Sequence, residues 1–339
     1  MLKTFFSVVI VALLCSTARA DSRVVIISID GLRPDLALRA DMPNVRRLMK
    51  NGSYTLWATT TPAAVTSPSH ASMLTGVTIE RHGIKGNDDK AAATEKLLVP
   101  SIFEIANKAG MSTGMAAGKS KFSVLSNRVD HLWLPKKSKN TDADVAHAAV
   151  EIITQHRPKL MVVHFAQNDV IGHGIGWGTR EQVEALANTD RQLGRVLNAL
   201  EQAGVANETT IILSADHGGA AKGHGGPDPR SQTIPWIITG PGVLKDVDMS
   251  QYKDLNIRTY DTFATACHVL GLTEPEGIDG RVVTAAFEAT DLLLSAPTTL
   301  PTTITPPATQ PVLPQAAQAE PGDTLPKLGE QPTTAPVAQ

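Results

Sequence analysis

Val24-Val25-Ile26-Ile27-Ser28-Ile29 runs without a break into Asp30-Gly31. A short, continuous apolar run rich in β-branched residues suits a strand buried on both faces, as in a parallel sheet covered by helices. The pattern recurs. Leu160-Met161-Val162-Val163-His164-Phe165 leads into Ala166-Gln167-Asn168-Asp169, and Ile211-Ile212-Leu213-Ser214-Ala215 into Asp216-His217-Gly218-Gly219. Strands are expected at 24–29, 159–165, 209–213 and 234–239. Helical patterns intervene at Asp41–Lys50, Ser101–Lys108, Asp142–His156 and Arg180–Ala203, followed by Asn51-Gly52, Gly110, Pro158 and Gly204. This alternation predicts an α/β fold with a mostly parallel central sheet and helices on both faces.

Outward from this region, both ends of the chain change character. Lys3, the apolar run Phe5–Leu14 and the small-x-small site Ala18-Arg19-Ala20 read as a signal peptide over residues 1–20, removed before Asp21. Ten apolar residues are too few for a stable membrane anchor, and no later run approaches membrane length. The expectation is an exported protein, periplasmic or extracellular, with no transmembrane segment in the mature chain. From Ser295 onward, ten of the 22 prolines fall among Thr, Ala and Gln. Such a segment cannot repay the entropy of ordering, so residues 295–339 read as a disordered tail that could attach the protein to a cell surface. One catalytic-sized domain remains at 21–294. The formal net charge of −2 excludes a nucleic-acid partner held by bulk charge. Once Cys15 is removed, Cys267 is left alone, so no internal disulfide is expected; Cys267 reads as a small buried hydrophobe.

In an open parallel sheet the ligand crevice lies at the carboxyl ends of the strands. Three strands here deliver Asp30, Asp169 and Asp216 to that rim. Unpaired, these carboxylates would repel one another and raise each other's pKa. A cation resolves the conflict, and histidines accompany the aspartates: His173 four residues after Asp169, His217 adjacent to Asp216, and His224 within Gly223-His224-Gly225-Gly226. Three Asp and three His suffice for two divalent metal ions with three protein ligands each. Nitrogen and oxygen ligation without thiolate suits Zn2+, with Mn2+ or Fe as alternatives. Singly, each residue has a blander reading: a strand-end Asp is usually a turn or cap residue. His164, inside an apolar strand, reads as a satisfied core histidine. The case rests on six candidates reaching one rim together.

A nucleophile candidate lies in Ala64-Val65-Thr66-Ser67-Pro68-Ser69-His70. Pro68 suits a first helical position with Ser67 as N-cap. Thr66 would then sit just before a helix N-terminus, where N–H groups and the helix dipole favour an anion. A metal-coordinated hydroxyl loses its proton readily and could attack as an alkoxide. Thr60, Thr61, Ser67 and Ser69 compete on local chemistry alone.

These residues resemble the alkaline phosphatase superfamily, and within it the nucleotide pyrophosphatase/phosphodiesterase branch, also called type I phosphodiesterases. The likeness spans about Arg23 to Arg281. It is carried by Ile29-Asp30-Gly31, Thr66-Ser67-Pro68-Ser69-His70, Leu74-Thr75-Gly76, Arg81-His82-Gly83-Ile84, Asn87, Asp169 with Gly172-His173, Ser214-Ala215-Asp216-His217-Gly218 and Gly223-His224-Gly225. The resemblance implies an alkaline-phosphatase-like three-layer sandwich with two zinc sites. Asp30, Asp216, His217 and the Thr66 hydroxyl would hold one metal, and Asp169, His173 and His224 the other. Asn87, with the backbone N–H of Ser67, would donate to a phosphate oxygen, and catalysis would pass through a phospho-threonine. Sulfatases of the same superfamily need Cys or Ser where Thr66 stands and Arg where His70 stands. His224 follows His217 by only seven residues, where many relatives insert a long segment, and this leaves nucleotide specificity open.

The leading expectation is therefore a metal-dependent phosphoric ester hydrolase of the phosphodiesterase or nucleotide pyrophosphatase type, acting on a small-molecule phosphate ester. The alternative on the same site is a phosphomonoesterase or phosphonate hydrolase. That choice turns on an extra cation near the outer phosphate oxygens, for which Lys85, Lys119, Lys121 and Arg128 are candidates. A reading from another class is a non-catalytic metal-binding surface protein.

Overall fold

The structure is a computed structural model that describes residues 22–136 and 140–287. The expected signal peptide and Pro-rich tail lie outside these residues. Eight strands form a single sheet: β1 (Arg23–Ile29), β2 (Ser53–Thr59), β3 (Thr113–Ala117), β4 (His131–Trp133), β5 (Leu160–Phe165), β6 (Thr209–Ser214), β7 (Thr233–Thr239) and β8 (Val247–Asp248). Their spatial order is β4-β3-β5-β1-β6-β7-β2-β8. Only β7 runs against the rest; every other neighbouring pair in the sheet is parallel except its two pairings, with β6 and β2. This is the mostly parallel α/β fold that the sequence predicts.

β1 is central, and its residues Val24 to Ile29 are all buried, with no alternation. Because neighbouring side chains point to opposite faces, both faces of the sheet must be covered. Each fully buried Ile or Val contributes about 1.5–3 kcal/mol through the area it removes from water. The long helix Arg180–Gln202 and the helix Asp142–His156 pack against each other, and the latter also packs on β3 and β5. The helix Asp261–Leu270 packs on β1, β6 and the helix Thr66–Thr75. Cys267 is buried in it and unpaired, and burial pushes its thiol up to about 12.

The sequence pattern misses β2, β3, β4 and β8. β3 reads Thr-Gly-Met-Ala-Ala, a composition poor in strand formers. Tertiary packing decides it: a Cβ at Gly114 would lie 3.0 Å from Ile152 and 3.2 Å from Pro158, so glycine lets the helix Asp142–His156 close on the strand without either side chain shifting. β2 shares the direction of β1, so its carboxyl end and that of β3 reach the same rim as those of β1, β5 and β6. Five strands thus feed one crevice: β1 into Asp30, β2 into the loop before Thr66, β3 into Gly118-Lys119, β5 into Asp169 and β6 into Asp216.

Candidate metal centre

Asp30, Asp216 and His217 bring one ligand atom each to within 4.8 Å of one another, and Asp169, His173 and His224 do the same. All six rim candidates therefore come together, in two groups. In the first, His217 Nε2 lies 3.4 Å from Asp30 Oδ1 and 3.2 Å from Asp216 Oδ2. In the second, Asp169 Oδ1 lies 3.4 Å from His173 Nε2 and 3.7 Å from His224 Nε2. The His217 and His224 rings stack with centroids 3.6 Å apart, so the groups adjoin. The first group is fully buried, while the His173 side chain is 47% exposed at the cleft mouth.

Two observations test whether these residues suit a cation. The carboxylate oxygens Asp30 Oδ1, Asp169 Oδ1 and Asp216 Oδ2 are buried with no hydrogen-bond partner among the described residues. A buried, unsatisfied carboxylate oxygen is costly, so something must compensate it. The second observation is the orientation of the imidazoles. His217 Nδ1 meets Gly218 O at 2.8 Å, His224 Nδ1 meets Ala64 O at 2.8 Å and His173 Nδ1 meets Lys222 O at 3.0 Å. A carbonyl only accepts, so each Nδ1 carries the proton and each Nε2 lone pair faces the carboxylates. The donor set fits a divalent cation in each group.

Thr66 Oγ1 lies 3.4 Å from His217 Nε2 and 3.3 Å from Lys119 Nζ. The competing hydroxyls Thr60, Thr61 and Ser69 bond to one another, and Thr60 also donates to Asp216 O. The helix starts two residues earlier than expected. It spans Thr66–Thr75 with Val65 as N-cap and no side-chain cap, so Thr66 is the first helical residue rather than preceding the helix. Asn87 Oδ1 accepts from the Ser67 N–H at 2.9 Å and from Lys121 Nζ at 2.9 Å. In this arrangement the Ser67 N–H is engaged by Asn87.

Of the four cations considered from sequence, Lys119 and Lys121 reach this site. Lys119 Nζ is 2.6 Å from both Asp30 Oδ2 and Asp169 Oδ2, bridging the two groups. Burial opposes its charge, but Asp30, Asp169 and Asp216 outweigh burial and raise its pKa. Burial alone would push the Asp30 carboxyl up; Lys119, His164 and His217 hold it well below the usual carboxylate range. Lys121 shifts down, through burial and the repulsion of Lys119. Burial lowers His224 too, aided by His217. Lys119, Lys121, Asp88, Gln167 and Val170 line part of an open cleft of about 350 Å³, where Lys119 reaches to Thr66.

Sequence reasoning left three residues without a place here. His164 is buried and satisfied, as expected of a core histidine, but it is not merely core: its Nδ1 accepts from Gly118 N at 3.3 Å and its Nε2–H donates to Asp30 Oδ2 at 2.9 Å. The signal was the pleat. Ser28 pairs with both His164 and Ser214, and Asp30 lies two residues further along the same face. His70 is also buried; its Nδ1–H donates to Thr66 O and its Nε2 accepts from Ser28 Oγ, both at 2.8 Å. Burial drives its pKa down to about 4, against the pull of Asp216. Trp177 donates from Nε1 to Gly31 O at 3.2 Å and lies against three segments that carry ligand candidates. A Cβ would come within 3.1 Å of its ring at Gly31, 2.7 Å at Gly172 and 2.3 Å at Gly219.

The type I phosphodiesterase / nucleotide pyrophosphatase family matches residues 24–223, and the sulfatase family matches residues 178–272. Human ectonucleotide pyrophosphatase/phosphodiesterase family member 5 is 23% identical over 212 residues, covering 58% of this chain and 44% of that protein. A 2,3-bisphosphoglycerate-independent phosphoglycerate mutase of Gloeobacter violaceus is 27% identical over 241 residues, covering 68% of this chain and 42% of that protein. The chain thus spans about half the length of the curated relatives it matches, or somewhat less. Among solved structures, murine ectonucleotide pyrophosphatase/phosphodiesterase 5, an inactive threonine-to-alanine variant in complex with AMP, superposes with a TM-score of 0.63 at 16% identity, over 75% of this chain and 96% of that one. The phosphonate monoester hydrolase of Agrobacterium radiobacter gives 0.61 at 17% identity, over 79% and 77%. At such identities the superpositions speak for the fold alone. The family match covers well over half of the sequence and includes Asp30, Thr66, Asn87, Asp169, His173, Asp216 and His217. The chain belongs to the type I phosphodiesterase / nucleotide pyrophosphatase family, within the alkaline phosphatase superfamily.

Proposed function

We propose that this chain hydrolyses phosphate esters through a covalent phospho-threonine on Thr66. Asp30, Asp216, His217 and Thr66 would hold one divalent metal, and Asp169, His173 and His224 the other. The observation that carries this reading is the Thr66 hydroxyl, at a helix N-terminus, 3.4 Å from His217 Nε2 and 3.3 Å from Lys119 Nζ. When bound, divalent cations, zinc on the donor chemistry, would ease deprotonation of that hydroxyl and neutralise charge building on the phosphoryl group.

The remaining work falls to the chain. Thr66 Oγ attacks phosphorus in line with the leaving oxygen; the new Oγ–P bond forms as the P–O bond to the leaving group breaks. The helix start lends the positive end of its dipole to the phosphoryl oxygens, its Ser67 N–H being engaged by Asn87 and Pro68 having none. His70 fixes the Thr66 carbonyl, and hence the start of that helix. Asn87, with its carbonyl oxygen already taken by Ser67 and Lys121, keeps its amide hydrogens for a phosphoryl oxygen. Water then attacks the phospho-threonine, phosphate departs and the Thr66 hydroxyl is restored.

Within this chemistry, Lys119 and Lys121 favour a phosphomonoester. A monoester carries about one more negative charge at neutral pH than a diester and has no second ester group to house. Two ammonium groups beside the nucleophile match that charge. The diester or nucleotide pyrophosphate reading rests on family membership. The test is turnover of matched aryl monoester, diester, phosphonate and sulfate ester by protein of measured metal content, with and without chelator. Chelator-sensitive turnover, fastest on the monoester and lost in Thr66→Ala, is expected. Turnover that survives both chelator and Thr66→Ala refutes the mechanism; a diester preference returns the substrate class to the family's name.

We also propose that the chain is exported. This rests on Lys3, the Phe5–Leu14 run and Ala18-Arg19-Ala20.

A further inference from the structure

The helix Gln167–Gly174 carries two of the metal-ligand candidates, Asp169 and His173, on one face. Its own N-cap residue, Ala166, has no side chain able to accept a hydrogen bond, so its first N–H groups need acceptors from elsewhere. Those groups are satisfied from another helix. Asp142 Oδ1 accepts from Ala166 N at 2.9 Å and from Gln167 N at 3.0 Å. The reciprocal bond is present as well: Asp142 N donates to Gln167 Oε1 at 2.9 Å. The other carboxylate oxygen, Oδ2, accepts from Thr189 Oγ1 of the long helix at 2.5 Å. Asp142 is 0% exposed, so these bonds are made without competition from water. The arrangement is a capping box made across two helices, with the box's acid 24 residues upstream of the helix it caps.

We infer that Asp142 is a positioning residue for the Asp169–His173–His224 group: its carboxylate caps in trans the helix that presents Asp169 and His173. The negative charge suits that end of the helix dipole. Thr189 holds the carboxylate from the far side, so the angle of the short helix is set by two neighbours rather than by its own sequence. The first group, Asp30–Asp216–His217, comes from strand ends and makes no bond to Asp142. The effect of Asp142 is therefore confined to one group of the two.

This inference rests on the two-metal reading above, and the experiment separates the two. Zinc stoichiometry and affinity are measured on the full chain by competition with a chromophoric chelator. The wild type is compared with Asp142→Ala, Asp142→Asn and Thr189→Val, with circular dichroism as the check on folding. Wild type is expected to bind two zinc ions. Asp142→Ala should weaken one of them by about 10–100-fold, the usual effect of losing a group that orients ligands, and leave the other unchanged. Asn keeps an oxygen for the two N–H groups and should restore most of the affinity. Combining Asp142→Ala with His173→Ala should still leave one ion bound, because both act on the same group. Two unchanged affinities in Asp142→Ala, or equal weakening of both, overturns the inference. If that variant does not fold, Thr189→Val decides: weakening at one ion supports the inference and two unchanged affinities overturn it. A wild type that binds no zinc refutes the two-metal reading and, with it, the role assigned to Asp142.

Discussion

Lys119→Met offers a quantitative test of how charge is balanced in the crevice. The substitution keeps most of the side chain's length and removes the ammonium that lies 2.6 Å from both Asp30 and Asp169. The Lys119 side chain is only 16% exposed and Asp30 is fully buried, so screening by water is weak. Removing one partner of a buried ion pair costs about 3–5 kcal/mol, because the remaining charge is left uncompensated. For a domain of this size each kcal/mol moves the melting temperature by about 2–4 °C, so a drop of roughly 6–20 °C is expected in chelator. With saturating zinc the deficit should shrink to a few degrees, since bound cations supply the missing positive charge. The assay is thermal unfolding of wild type and variant in both conditions. Equal melting temperatures in chelator would refute the reasoning, as would the same deficit with and without zinc. In parallel, Lys119→Met should lose more activity on an aryl monoester than on a diester.

Three further outcomes are expected. His82 is buried, with Nε2–H donating to Ser72 Oγ and Nδ1 accepting from Ile84 N, and burial lowers its pKa to about 4 from an ordinary 6.5. Because the folded state resists the proton that the unfolded state takes up, its stabilising effect is complete above pH 6.5; about 3 kcal/mol is lost as pH falls from there to 4. Urea unfolding across that range should show a slope shallower by about one proton in His82→Gln than in wild type. Gly219→Ala should destabilise by about 1–3 kcal/mol in chemical denaturation, because its Cβ would sit 2.3 Å from the Trp177 ring, and Trp177→Leu should recover part of that loss. N-terminal sequencing of the exported protein should begin at Asp21.

The fold was legible where a strand is buried on both faces and ends in a polar residue. β1, β5, β6 and β7 announce themselves through runs such as Val24–Ile29, and the first three point to Asp30, Asp169 and Asp216. The histidine ligand candidates were legible through their short spacing from these aspartates. Lys119 could be named but not positioned, because β3 is made of small residues whose conformation is decided by the helix packed on Gly114. His164 was read as core because its contact with Asp30 depends on strand register, and the separation of 134 residues hides that register. Trp177 and Asp142 were missed for the same reason. Their contacts with Gly31 and with Ala166 lie 146 and 24 residues away. The N-cap was misplaced by local rules: Ser67 and Pro68 suit a helix start, but Val65, extended at φ −136°, is where the chain turns.

The anchoring of the three imidazoles also bears on how this site can drift. His217, His224 and His173 are each oriented by a main-chain carbonyl, of Gly218, Ala64 and Lys222. A point substitution can delete a carboxylate or an amide side chain, but it cannot delete a peptide oxygen. Residues 64 and 222 can therefore diverge in identity, within the limits of backbone shape, whereas residue 218 stays glycine because a Cβ there would lie 2.1 Å from Arg230 O; the tautomer of each imidazole is inherited unchanged.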